Sequence, residues 1–303
     1  MTGFSLAVKK SEDGLKVDSP QYQPAAPDQS TNSPSRTLVT SRFRLPGVPI
    51  LNYHGLAESF AGIPEAAQPF WLTPQQFAAH LTSIGETGFR AVLLEELGEY
   101  HPGSAGNVVV TFDDGVASDY EVAFPLLARF GMRGVFFVNT STVGQAGYLT
   151  WAQISEMSRA GMSIQSHSHH HLDLTVIPSA VLESELAGSK RCLEDHLSCP
   201  VEYLAAPHGQ VSGRVVRTAL EKGYRGVCST RCWPANPRSK TLTRITLERD
   251  ITPEGFHAFL TGQISAYARR LSRGLIHRPL TLTERLIGTV MYRLFRQEAP
   301  VSK

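Results

Sequence analysis

Two clusters of side chains in this chain could do chemistry. The first is Asp113-Asp114, at the end of the run Val108-Val109-Val110-Thr111-Phe112 and followed by Gly115. Apolar, β-branched residues of this kind favour a buried strand, and consecutive strand residues point to opposite sides. Two acids at its end can therefore divide the labour, one holding a metal ion and the other handling a proton. A surface turn built on Asp-Asp-Gly is the alternative. The second cluster is Ser166-His167-Ser168-His169-His170-His171-Leu172-Asp173, with four histidines in five positions. His167 and His171 are four apart, so on a helical turn both rings would share a face. Two imidazoles and one carboxylate leave coordination positions open, which suits a catalytic zinc or a similar divalent ion.

These residues need elements to hold them. Apolar stretches that read as strands are Val48–Tyr53, Phe89–Leu94, Val108–Phe112, Gly134–Asn139, Met162–Ser166, Tyr203–Ala206 and Gly226–Ser229, with one more at Leu242–Ile245. Between them lie helical patterns. Thr73-Pro74-Gln75-Gln76 has the N-cap, first-turn proline and returning glutamine of a helix start. Helices are also expected over Asp119–Phe130, from Thr150 to Ala160, from Pro178 to Leu197 and from Ser212 to Lys222. Strands alternating with helices predict a parallel sheet with right-handed crossovers. About seven such units predict an α/β fold of the distorted (β/α)7-type barrel class. His54, Asp113, Asp114, the histidine run and Pro207-His208-Gly209 all fall just after strands. That is the rim on which barrel enzymes carry their chemistry.

Composition narrows the classes. The chain has 303 residues, 42% of them hydrophobic and 18% charged, an ordinary globular balance. A formal net charge of +2 supplies no bulk field for nucleic acid. Cys192, Cys199, Cys228 and Cys232 lack a zinc-like spacing and read as free thiols. Three segments are expected: a disordered tail over 1–44, a barrel domain over 45–265 and a basic, amphipathic extension over 266–303. The tail has no apolar h-region, so the chain is expected in the cytoplasm. In the extension, Leu282, Leu286, Val290 and Leu294 lie on an apolar stripe with Arg285, Arg293 and Arg296 beside it. It reads as a helix docked on the barrel, or as a peripheral contact with the inner membrane face.

Thr111-Phe112-Asp113-Asp114-Gly115, followed about fifty residues later by His167-Ser168-X-X-His171, resembles the first two motifs of the polysaccharide deacetylase family. This is the NodB-homology domain of carbohydrate esterase family 4, and the resemblance covers roughly Val48 to Leu247. It implies hydrolysis of an N-acetyl group from an amino sugar, with Zn2+ as the metal and Co2+ or Ni2+ as alternatives. Asp114, His167 and His171 would hold the ion and Asp113 would be the base. The usual third motif, Arg-X-Pro-Tyr-Gly, is here Ala205-Ala206-Pro207-His208-Gly209. The His208 main-chain N–H would serve the oxyanion, with Pro207 and Gly209 beside the substrate. The arginine that braces the base in the family is absent, so its replacement is left open. The opening strand and the arginine-free motif resemble the subgroup of poly-N-acetylglucosamine deacetylases, and by that likeness His54 is the acid in preference to His257 or His277. His170 and Trp233 are the further candidates for substrate contact. The implied partner is an N-acetylated polysaccharide, oligosaccharide or lipid-linked glycan. An O-acetyl sugar esterase and an inactive carbohydrate-binding barrel are the competing readings.

Overall fold

The computed structural model describes residues 45–99 and 106–274. The strands are β1 (Ile50–Tyr53), β2 (Gly55–Leu56), β3 (Trp71–Leu72), β4 (Arg90–Ala91), β5 (Asn107–Phe112), β6 (Val135–Val138), β7 (Ser163–Ser166), β8 (Tyr203–Ala205), β9 (Gly226–Ser229), β10 (Thr241–Thr243) and β11 (Ile245–Thr246). The helices are α1 (Pro74–Glu86), α2 (Phe124–Arg129), α3 (Trp151–Arg159), α4 (Ser179–Leu197), α5 (Gly213–Glu221), α6 (Pro253–Leu260) and α7 (Ile264–Gly274).

Eight strands follow one another in the order β10-β9-β8-β7-β6-β5-β1-β11, every pairing between them parallel, and β4 adds to β5. This is the expected barrel. The two ends of that path, β10 and β11, are neighbours in the chain, separated only by Arg244. The single strand expected over Leu242–Ile245 is thus broken at Arg244 and supplies both edges of the sheet.

Period-2 alternation sorts the strand residues between two apolar layers. In β5, Val108, Val110 and Phe112 face the helices, where Phe77 and Leu81 of α1 and Leu127 of α2 also pack. Val109 faces the barrel interior with Ile50, Phe137, Ala205 and Leu242. Thr111 and Asp113 continue the interior face. The capping box of α1 forms as expected: Thr73 Oγ1 accepts from the Gln76 N–H and the Gln76 side chain accepts from the Thr73 N–H.

Some elements differ from expectation. The strand expected over Phe89–Leu94 is cut to Arg90–Ala91, and a 3-10 segment, Leu94–Glu99, follows it. The helix expected from Asp119 opens with a π-helical turn, Asp119–Ala123, before α2. The four cysteines are unpaired. The expected boundary at 265 falls within α7, whose Tyr267 is fully buried and donates to the Phe259 carbonyl at 2.7 Å. No helix among the described residues is long and apolar enough to cross a membrane. The tail 1–44, the apolar stripe beyond 274 and His277 lie outside the described residues.

Candidate active site

β5 delivers the two acids to the same rim that receives the histidines from β7. Asp113 extends the interior face, and its N–H donates to the Tyr53 carbonyl at 3.0 Å. Asp114 leaves the strand in the left-handed region, φ 78°, a conformation that a short polar side chain tolerates better than most. The turn therefore sends the two carboxylates to different places, as the alternation predicts.

Asp114 Oδ1 lies 3.4 Å from His167 Nε2 and 3.3 Å from His171 Nε2. One ligand atom from each residue fits within 4.8 Å of the others. Four ligands at about 2.1 Å in a tetrahedron stand about 3.4 Å apart, so the donor set fits a divalent ion. Its chemistry, two neutral imidazoles and a carboxylate, fits as well. The His167 Nδ1–H donates to the Ala205 carbonyl at 2.9 Å, which leaves Nε2 with a free lone pair for an ion. His167 is buried and His171 half-buried, so the cluster is open on one side.

The rings do not meet on a helical turn. Ser168 (φ 65°) and His171 (φ 57°) are both left-handed, and the segment is an irregular loop. Its backbone is tied elsewhere. Glu185 of α4, itself buried, accepts from the His169 N–H at 3.0 Å, the His170 N–H at 2.7 Å and His170 Nδ1–H at 2.6 Å. The Ser168 hydroxyl accepts from the His171 N–H at 3.2 Å. With their N–H groups taken this way, these residues have no call on helical hydrogen bonds. His170 thus has a structural partner on one side and is exposed on the other.

The brace for Asp113 is Arg244. Its Nη1 donates to Asp113 Oδ1 at 2.6 Å and its Nη2 to Oδ2 at 2.8 Å, a two-pronged pair with both residues buried. Nη1 also reaches Asn52 Oδ1 at 3.2 Å and Thr111 Oγ1 at 3.3 Å, and the guanidinium lies 5.1 Å from the Phe137 ring centroid. Burial pushes the Asp113 carboxyl up, but the charges of Arg244 and His167 and the Arg244 hydrogen bonds outweigh it and hold the group below the usual carboxylate range. Each carboxylate oxygen keeps a second lone pair for a proton.

His54 follows β1 as Asp113 follows β5. The register Tyr53↔Phe112 makes the two rim neighbours. Burial lowers the His54 pKa, against the pull of Asp113 and Asp114. Its Nδ1 is buried without a hydrogen-bond partner among the described residues. Pro207-His208-Gly209 forms one 3-10 turn after β8, with His208 at φ 57°. A Cβ on Gly209 would fall 1.8 Å from Thr230 Oγ1, so only glycine fits there. The turn brings the His208 ring to 4.7 Å from that of His171, centroid to centroid.

Trp233 does not join this cluster. It packs in the outer apolar layer, 6.0 Å from Tyr267 of α7 between ring centroids. His257 sits on α6. The structure adds residues that the sequence reading did not single out: Arg244, Glu185 and Asp119. Each carried a faint signal, being a charge set in an otherwise apolar or helical pattern.

Asp119 is buried, and neither carboxyl oxygen has a hydrogen-bond partner among the described residues. Burial raises its pKa well above the ordinary 3.8, and Asp114 and Asp113 raise it further. A raised folded pKa makes the stability contribution full below the unfolded value. It is lost as pH rises from there towards the folded pKa, because the unfolded chain sheds its proton first. Asp119→Asn is therefore expected to stabilise the metal-free protein at pH 7 by about 1–2 kcal/mol. Urea titrations should show that gain vanish near about pH 4; an equal gain at both pH values would mean that the carboxyl does not titrate as described.

A parallel barrel thus carries on one rim an Asp-His-His cluster with the donor set for a divalent ion, and beside it a separately braced aspartate. Residues 101–227 match the polysaccharide deacetylase family model. The chain is 27% identical over 182 residues to the putative polysaccharide deacetylase YxkH of Bacillus subtilis, a match covering 59% of this chain and 62% of that protein. The chain thus spans less than two thirds of the length of the curated relatives it matches. Among solved structures it is similar to a Streptococcus pyogenes deacetylase in complex with acetate (TM-score 0.64, 26% identity, 72% of this chain and 99% of that one). It is likewise similar to a polysaccharide deacetylase of Bacillus cereus (TM-score 0.64, 25% identity, 71% and 69%).

Proposed function

We propose that this chain is a metal-dependent deacetylase that hydrolyses the N-acetyl group of an amino sugar in a glycan, giving acetate and a free amine. The observation that carries the reading is the division of labour on one rim: Asp114, His167 and His171 converge on a point, while Asp113 is turned to Arg244. The acetate held by the similar S. pyogenes deacetylase supports it.

Asp114, His167 and His171 would hold the ion, for which zinc suits the donors best and cobalt or nickel would serve. A divalent ion there supplies Lewis acidity towards the acetyl carbonyl and towards water. Asp113, kept ionised by Arg244, takes the proton of the attacking water. The His208 main-chain N–H, on its left-handed turn, is assigned to the oxyanion. The protonated His54 ring gives its proton to the departing amine, which its burial favours, and the proton that Asp113 took from the water then recharges the ring for the next turnover.

The test is acetate release from an N-acetylglucosamine tetramer by the zinc-loaded protein. Release is expected, with loss on chelation and recovery on adding metal back. His54→Gln should lower kcat by about 10²–10³-fold at unchanged metal content. No acetate from any N-acetylated oligomer would sink the reading; full turnover by His54→Gln would move the acid elsewhere.

A further inference from the structure

One large aromatic side chain near the site lies outside both apolar layers. His54 follows β1, the next residue, Gly55, opens β2, and Gly55 pairs in parallel register with Trp71 of β3. A Cβ on Gly55 would lie 2.4 Å from atoms of the indole's six-membered ring. The ring therefore rests on the bare backbone at position 55, and any side chain there would push it off. Trp71 is half-buried and belongs to neither apolar layer, although its neighbour Leu72 is fully buried in the outer one. Among the described residues no aromatic ring stacks on it and no cation lies over it. Phe70 is also outside both layers, and its ring centroid is 5.3 Å from that of His54.

The rim address is fixed by register. Tyr53 pairs with Phe112, and the Asp113 N–H donates to the Tyr53 carbonyl, so His54 and Asp113 are lateral neighbours. Trp71 is set against the residue that follows His54. An indole offers a flat, electron-rich face with a hydrogen-bonding edge. The ligand chemistry that matches such a face is a pyranose ring, whose axial C–H groups form an apolar, weakly positive patch while its hydroxyls stay in water.

We propose that Trp71 is a sugar-stacking platform, a subsite that holds a pyranose ring of the substrate against the rim beside His54. Phe70 flanks it and keeps the His54 ring in place. The platform favours a glycan over a bare acetamide, which has no ring to stack on it. This inference rests on the deacetylase reading above.

The experiment is calorimetric titration of an N-acetylglucosamine tetramer into the zinc-loaded Asp113→Asn protein, which binds without turnover. Trp71→Leu and Trp71→Ala are expected to weaken binding by about tenfold or more, and Trp71→Phe to hold it within about threefold. All three should keep one zinc per chain, which separates loss of the face from loss of the fold. With Asp113 intact, the same order is expected in KM for the tetramer. If Trp71→Leu binds the tetramer as tightly as Trp71→Phe does, the platform is overturned. That outcome differs from one in which the unmodified, zinc-loaded chain releases no acetate from any N-acetylated oligomer; there the deacetylase reading falls, and the platform with it.

Discussion

Arg244→Met is expected to destabilise the protein by about 3–5 kcal/mol, the cost of leaving one charge of a buried pair without its partner. Both side chains lie inside the barrel, Arg244 fully buried and Asp113 nearly so. With Arg244 in place the folded pKa of Asp113 is depressed. Its stability contribution is then present above the unfolded value near 3.8 and lost as pH falls through the folded value. Without the guanidinium, burial remains and pushes the carboxyl the other way. The deficit of Arg244→Met should thus be largest at neutral pH and shrink on acidification, and the acid limb of the pH–rate profile should move up. The double variant Arg244→Met with Asp113→Asn removes both charges and should regain most of the lost stability. Urea denaturation across pH 4 to 8 reads the stabilities, and acetate-release rates over the same range read the acid limb. A double variant no more stable than Arg244→Met would show that the pair is not the source of the effect.

The two adjacent acids are expected to fail in opposite ways. Asp113→Asn should lower kcat by about 10³-fold or more while zinc stays near one per chain. Asp114→Asn should weaken zinc binding by at least about 100-fold. The substitution is gentle to the backbone in both cases: asparagine accepts the left-handed conformation of residue 114 as readily as aspartate does. Asp113 has its carboxylate on Arg244, whereas Asp114 Oδ1 stands between the two Nε2 atoms. Metal analysis beside steady-state kinetics checks the assignment, and exchange of the two outcomes would reverse it.

What the sequence made legible was whatever is written locally. Val108 to Gly115 shows a strand and its terminal acids in one stretch, so the parting of Asp113 and Asp114 to different sides follows from alternation, while the role proposed for each comes from the family resemblance. The histidine pair shares a side, but not in the way its spacing suggests. Four-residue spacing suggested a helical face, but Ser166, Ser168 and Glu185 take the backbone N–H groups and bend the loop through two left-handed residues. Arg244 was invisible to local reading because its partner is 131 residues away. The faint sign was a charge at an inward position, between Leu242 and Ile245. Trp233, a candidate as a remnant of a later family motif, packs on the outer apolar layer. Trp71 was passed over because the pairing that places it beside His54 joins strands at the two ends of a long loop.

Arg244 also ties the chemistry to the folding of the whole chain. It is the single residue between the two sheet edges, and it grips Asn52 across 192 residues of sequence. Bringing such distant segments together carries a large loop-closure entropy, and topologies dominated by these contacts form slowly. The span from β5 to the loop after β7 contains Asp114, His167 and His171, whereas the partner of Asp113 comes from the far end of the sheet path. Under the proposed function, gathering of the metal ligands and alignment of the base would be separate steps in assembly, the second waiting on the segment that joins β10 to β11.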